Sequence, residues 1–401
     1  MLYLIAFCIF VLAAYLWWVT LQTPKNAKTD ANRGNKPGPG AANSVPADAK
    51  GYVLPRPEHP EHNAPDYTID PSNTVLIVPE EEHDACFQES VEMEASEILG
   101  LANRNLRLAE VVTLKGHDQW VNCVSFSSDG MWVVSGASDQ LVKLWNLQDN
   151  SEERTFFGHT AKVLCVAFAP DGNMIASGSA DETVILWSVE NGEIIRVFDD
   201  FQAPINSVSF SRDSRYLGIQ SGMGVHIQDL QEDRRIRTRS RHEFECQSVA
   251  FPPRPNTVVL GCVDAVVELW DLETVEEIDS FVGAMRVGTI CALAITADGA
   301  LVAGGSPQRN VNVWSLANGR KLYSFRGHGA GEYQVAFSID HILAGWGRSK
   351  SVDFWDMATG RQLNSLESKE WINTFAFSPN GKFAVTGGAD KSVIVYELVW
   401  M

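Results

Sequence analysis

His117, Ser135, Asp139 and Trp145 form a spaced set, and His159, Ser177, Asp181 and Trp187 repeat it 42 residues later in the same spacing. A histidine, an aspartate and a serine are the parts of an acyl-transfer triad, in which the imidazole takes the serine proton and the carboxylate orients the imidazole. They are equally the parts of a buried hydrogen-bonded chain that satisfies its own polar atoms. Recurrence favours the second reading, because an enzyme needs one such centre whereas a structural device repeats whenever its fold repeats. The sequence has no Gly-x-Ser-x-Gly elbow, phosphate-binding loop, His-Glu-x-x-His helix or kinase set. Its nine histidines are scattered and its seven cysteines form no Cys-x-x-Cys pair. No catalytic residue, metal-ligand cluster, cofactor site or disulfide framework is therefore expected. Cys123 and Cys165, in VNCVSF and VLCVAF, read as small buried hydrophobes.

The elements that position these residues come from an internal repeat. An apolar strand ends at Phe126, Phe168, Phe210, Phe251, Ile295, Phe337 and Phe377. A later strand of the same unit ends at Trp145, Trp187, Gln228, Trp270, Trp314, Trp355 and Tyr396, at intervals of 41 to 44 residues. SSDG (127–130), APDG (169–172), TADG (296–299) and SPNG (378–381) supply the tight turns between first and second strands. A period of this length with four strands per unit is that of a propeller blade.

Gly116-His117, Gly158-His159 and Gly327-His328, with Trp270-Asp271 and Trp355-Asp356, give the repeat its particular character. In these residues the chain resembles the WD-repeat family of β-propellers, over residues 107–401. The resemblance implies an all-β, seven-bladed β-propeller in which His, Ser, Asp and Trp form a hydrogen-bonded tetrad inside a blade. It also implies that residues 107–114 supply the missing outer strand of the last blade and close the ring. The other repeats depart from the pattern. Repeat 4 keeps His242, Asp264 and Trp270 but has Leu260 for Ser. Repeat 7 keeps Thr386 and Asp390 but has Tyr396. Repeats 5 and 6 keep only Trp314, and His328 with Trp355. Repeat 3 has Asp200, Gly218, Gly222 and Gln228 at the four offsets. Blade 3 is expected to be the least rigid, held by strand pairing and apolar packing alone.

The remaining quarter of the chain is different in kind. Residues 1–22 carry no charge and read as a transmembrane signal-anchor helix. No basic residue precedes the apolar run, and bulky Tyr15, Leu16, Trp17 and Trp18 follow Ala13 and Ala14, unlike a cleaved signal peptide. Lys25, Lys28, Arg33 and Lys36 lie just beyond, which by the positive-inside tendency puts the propeller in the cytoplasm. Residues 23–74 form a flexible Pro-rich linker, too polar to offset its ordering entropy. Residues 75–106 form an acidic segment, with VLIV (75–78) as a short strand or docking segment and an amphipathic helix over 84–106. The formal net charge is -18, which excludes a general nucleic-acid binder.

Function is expected to be non-enzymatic: a membrane-tethered scaffold that binds protein partners through its propeller. Trp120 and Trp371 occupy equivalent starts of innermost strands in adjacent blades, with Tyr333 close to that register and Trp346 and Arg348 approaching the same face. Each tryptophan either anchors a partner or packs on the neighbouring blade. Arg235, Arg237, Arg239 and Arg241 alternate in DRRIRTRSR, on the outer strand of blade 3. They serve either as a charged edge that blocks aggregation or as a docking strip for an acidic partner or anionic lipid. The alternative from another class is a small-molecule or hydrolytic site in the central channel, which convergent acidic and His residues at its mouth would favour.

Overall fold

The computed structural model describes residues 105–222, 224–236, 246–282, 289–308, 310–327 and 330–401. The expected anchor over 1–22, the linker over 23–74 and residues 75–104 of the acidic segment, with its expected short strand and nearly all of its expected helix, lie outside them. Among the described residues the one helical piece is the 3-10 turn Val263–Ala265, and no helix is long and apolar enough to cross a membrane.

The β-structure follows the repeat. Blade 1 pairs Val121–Phe126, Trp132–Ala137, Val142–Asn146 and Ser151–Phe156 in order, all antiparallel, and blades 2 to 5 are four-stranded sheets of the same order. The first-to-second-strand turns form at the expected places, with Gly130, Gly172, Gly299 and Gly381 at φ between 70° and 78°. That left-handed conformation is open to glycine without the strain a Cβ brings. Blades 6 and 7 are joined into one sheet because two long strands each serve twice. Ile342–Asp356 runs through the second and third strands of blade 6. Leu366–Phe377 starts as the outer strand of blade 6, with Leu366 facing Val352, and ends as the innermost strand of blade 7, with Phe377 facing Ala384. Seven blades result among the described residues.

The ring closes as the resemblance implies. Leu106–Lys115 pairs with Ser392–Trp400 as the outer strand of blade 7, and Asn105 and Met401 exchange both backbone hydrogen bonds. The innermost strand of blade 7 touches that of blade 1, as each innermost strand touches the next.

Neighbouring blades are fastened by two repeated devices. The first explains the glycine of the Ser-Gly motif. A Cβ on Gly136 would lie 2.5 Å from Cγ1 of Val163, and one on Gly387 would lie 2.5 Å from Cγ1 of Val121. The bare glycine is the slot into which the next blade seats the first aliphatic residue of its innermost strand. Such a side chain, fully buried, contributes about 1.5–3 kcal/mol. The second device is a side chain that donates to the next blade's backbone. Asn122 Nδ2 reaches Val163 O at 2.8 Å, Ser248 Oγ reaches Ile290 O at 3.0 Å, and Asn373 Nδ2 reaches Val121 O at 3.0 Å. The last of these crosses the closure between blades 7 and 1.

Candidate recognition face and buried polar tetrads

In blade 1, His117 Nδ1 lies 2.8 Å from Asp139 Oδ2 and its Nε2 lies 2.8 Å from Ser135 Oγ, while Trp145 Nε1 donates to the same Oγ at 2.8 Å. Blade 2 repeats this with His159, Asp181, Ser177 and Trp187 at 3.0, 2.8 and 2.8 Å. Because the indole N–H can only donate, the serine oxygen accepts it in each tetrad, and its second lone pair and its own hydroxyl remain for the imidazole. Burial holds the His159 imidazole below its usual pKa despite Asp181 beside it. Burial pushes Asp181 up, but the Thr183 hydroxyl, the Thr160 N–H and His159 outweigh it and bring Asp181 down to about 2.

These bonds have the connectivity of a hydrolytic triad, yet they do not present a nucleophile. Ser135 and Ser177 have no exposed surface, and an indole occupies the face of each hydroxyl oxygen. No substrate carbonyl can approach. The tetrads therefore pin the start of each unit to its second and third strands.

The other blades fill the same slot by different chemistry. In blade 6, Gly345 stands where Ser135 stands in blade 1, and Tyr333 fills the emptied space. Its hydroxyl donates to Asp353 Oδ2 at 2.6 Å and lies 3.1 Å from Gly345 O. In blade 7 the Tyr396 phenol meets the Thr386 hydroxyl, with burial raising its pKa. In blade 4, Trp270 Nε1 donates to Glu268 at 2.9 Å in place of the missing serine. In blade 5 the slot holds Gly304, and Trp314 Nε1 is buried without a hydrogen-bond partner among the described residues. Blade 3 corrects the expectation of apolar packing alone. Asp200, at the histidine position, takes Arg235 through two bonds of 2.8 Å, and buried Asp229 takes Arg215 at 2.8 Å.

The candidate binding residues separate clearly. Trp120 is 53% exposed and Trp371 is 48% exposed. Both stand just before an innermost strand, and their carbonyls accept equivalent hydrogen bonds of 2.9 Å from Ser138 and Ala389. Asn373, two residues after Trp371, bonds the carbonyl of Val121, the residue after Trp120. Trp120 and Trp371 thus stand at the seam between blades 7 and 1, each with about half of its surface exposed. Arg348 is also exposed. Tyr333 and Trp346 require correction, since both are buried. Tyr333 belongs to the blade 6 polar slot. Trp346 stands at the register of Gly136 and Gly178, which faces the next blade. Its ring packs 5.6 Å from Phe375 and its N–H reaches Asn373 O at 3.4 Å. The arginine strip is corrected in part: Arg235 is committed to Asp200, the described outer strand is only Arg234–Ile236, and Arg237, Arg239 and Arg241 lie outside the described residues.

On the channel side, a cavity of about 220 Å³ is lined by Asn206, Ser207, Gln220, Gln247, Ser248 and Gln334 among others. This lining offers amides and hydroxyls rather than acid–base groups, so it does not favour the hydrolytic alternative. One grouping was not legible from spacing. Cys246 and Cys262 are disulfide-bonded across the first two strands of blade 4, which corrects the expectation of no such bond. Glu268 lies beside them on the third strand. Sixteen and six residues separate these three along the chain, and only strand pairing makes them neighbours.

A closed ring of four-stranded blades carrying His–Ser–Asp–Trp tetrads defines a WD-type β-propeller. The comparisons agree. Residues 146–397 match the family model described as the IFT122 first beta-propeller, and residues 109–146 match the WD domain, G-beta repeat. The chain belongs to the WD-repeat β-propeller family, whose members in general bind protein partners and act as scaffolds. Among similar proteins, the Autophagy-related protein 16 of Arabidopsis thaliana is 31% identical over 87 residues, 22% of this chain and 17% of that protein. The Nuclear distribution protein nudF of Aspergillus niger is 26% identical over 171 residues, 40% of this chain and 38% of that protein. The Lissencephaly-1 homolog 1 of Paramecium tetraurelia is 43% identical over 42 residues, 10% of each. The matches thus span well under half the length of each of these relatives.

Proposed function

We propose that this protein is a non-enzymatic, membrane-tethered scaffold that binds protein partners on the propeller face carrying Trp120 and Trp371. The observation that carries the reading is the pair of half-exposed indoles at equivalent positions of blades 1 and 7, beside the closure. Exposed tryptophans rimmed by polar groups are the side chains that most often dominate an interface. Asp118 and Glu370 are exposed two residues and one residue before them and supply such a rim. Membrane tethering rests on the uncharged run 1–22, and the cytoplasmic orientation rests on Lys25, Lys28, Arg33 and Lys36.

The test compares three alanine variants. Trp120→Ala and Trp371→Ala should leave thermal melting unchanged and weaken partner capture from native membranes by roughly thirtyfold, the equivalent of about 2 kcal/mol. Trp346→Ala should instead lose about 3–5 kcal/mol of folding stability, because its ring fills space between blades. Full partner retention by both surface variants would sink the reading.

A further inference from the structure

Blade 4 differs from its neighbours at the mouth of its first hairpin. There, blades 1, 2, 3 and 7 oppose an aliphatic residue to a small one: Val121 to Ala137, Val163 to Ser179, Ile205 to Ser221, Ile372 to Gly388. Blade 4 opposes Cys246 to Cys262, and the two are bonded. The third strand then brings in Glu268, so that a carboxylate oxygen and both sulfurs lie within 4.8 Å of one another. All three residues are at least nine-tenths buried, Glu268 at 2% exposure.

Glu268 is the informative member. Its register is two residues before the blade tryptophan, and the charged residues at that register in blades 1 and 6 are neutralised or well bonded. Lys143 ion-pairs with Glu152 at 2.7 Å, and Asp353 accepts from Tyr333 and from Ser365 at 3.0 Å. Glu268 accepts one hydrogen bond, from Trp270, and has no ion pair among the described residues. A buried carboxylate without a balancing charge is costly unless it stays protonated or meets a cation. Here the groups beside it are two sulfurs.

We propose that Cys246, Cys262 and Glu268 form a binding site for a thiophilic divalent cation of the zinc type, closed in the disulfide form and opened by reduction. Two electrons and two protons from an external dithiol cleave the S–S bond to two thiols, and the dithiol becomes a disulfide. The metal ion then displaces both thiol protons, which leave to solvent, and the carboxylate is the third donor. Two thiolates and one carboxylate suit Zn²⁺, whereas Mg²⁺ and Ca²⁺ select all-oxygen sets. The site is independent of the tryptophan face, so either proposal can fail alone.

The test uses the full chain purified in detergent, in oxidised form and after reduction with dithiothreitol and anaerobic desalting. Zn²⁺ is titrated against a chromophoric chelator, and Co²⁺ serves as a spectroscopic substitute. The reduced protein should take up one Zn²⁺ more per chain than the oxidised protein and show thiolate-to-cobalt charge-transfer absorption. Cys262→Ser should abolish both. Glu268→Gln should weaken Zn²⁺ by about tenfold or more, since even partners one shell beyond a metal's ligands are worth that much. Equal zinc uptake by reduced and oxidised wild type would overturn the proposal without reference to any variant. So would zinc binding that survives Cys262→Ser, since it would belong to ligands outside this group, the other five cysteines of the chain among them.

Discussion

At the scale of single residues, the tetrads convert a would-be reactive set into a structural one by burial. Removing the hydroxyl of Ser177 leaves Trp187 Nε1 without its acceptor and His159 Nε2 without its partner. Ser177→Ala should therefore cost about 2 kcal/mol or more, read as a lower urea midpoint with unchanged slope. Blade 5 already bears one such orphan at Trp314, which marks it as the blade where this polar chain contributes least. The same groups set a pH dependence. Asp181 has a folded pKa lowered from 3.8 to about 2, so its stabilisation is present above 3.8 and is lost as pH falls through about 2. His159 is also depressed, so its contribution is present above 6.5 and begins to be lost as pH drops below it. Asp181→Asn should melt below wild type at neutral pH, and the two curves should converge as pH falls from 3.8 towards about 2. A gap that stays constant across that range would show that Asp181 acts through packing rather than charge.

At the scale of elements, closure rests on a strand from the far end of the sequence. Leu106 and Leu114 are buried at the two ends of Leu106–Lys115, and the strand completes the edge of blade 7. A chain starting at Asn105 should fold as a closed ring. A chain starting at Gly116 should expose the edge strand Ser392–Trp400 and aggregate or lose cooperative melting, because an unpaired edge recruits other edges. Light scattering and thermal melts on the two truncations read the difference directly. If both fold equally well, the ring is held shut by the inter-blade contacts alone, of which Asn373 to Val121 O is one.

At the scale of the whole molecule, the proposed membrane anchor makes the orientation of the propeller a testable prediction. The basic flank after residue 22 predicts the cytoplasmic side, where reductants keep paired cysteines as thiols. Protease added to intact cells or spheroplasts should then leave the propeller uncut, and alkylation after acid quenching and denaturation of the cells should label Cys246 and Cys262, which are buried in the folded protein. Digestion from outside, together with an unreactive Cys246–Cys262 pair, would place the propeller in an oxidising compartment. That outcome would reverse the orientation and leave the fold as described. The acidic surface of the chain, net -18, fits a partner carrying basic groups around the hydrophobic spot that receives Trp120 and Trp371.

The tetrads' bonding and the closing strand were implied by the family resemblance; the repeat period, the hairpin turns and the two residue sets were legible in the sequence itself. Each depends on local patterning: alternation along a strand, a turn glycine at a fixed offset, a residue set that keeps its distance from a tryptophan. The exposure of Trp120 and Trp371 was legible only as one of two alternatives. Tyr333 and Trp346 were decided by the tertiary structure. Tyr333 fills a space that exists only because Gly345, on another strand, has no side chain. Trp346 is hidden by the neighbouring blade, whose position no local pattern contains. The joining of Cys246, Cys262 and Glu268, and the pairing of Arg235 with Asp200, 35 residues earlier in the chain, have the same origin. Strand pairing and blade stacking bring together residues far apart in the chain, and those contacts are fixed only when the ring is formed.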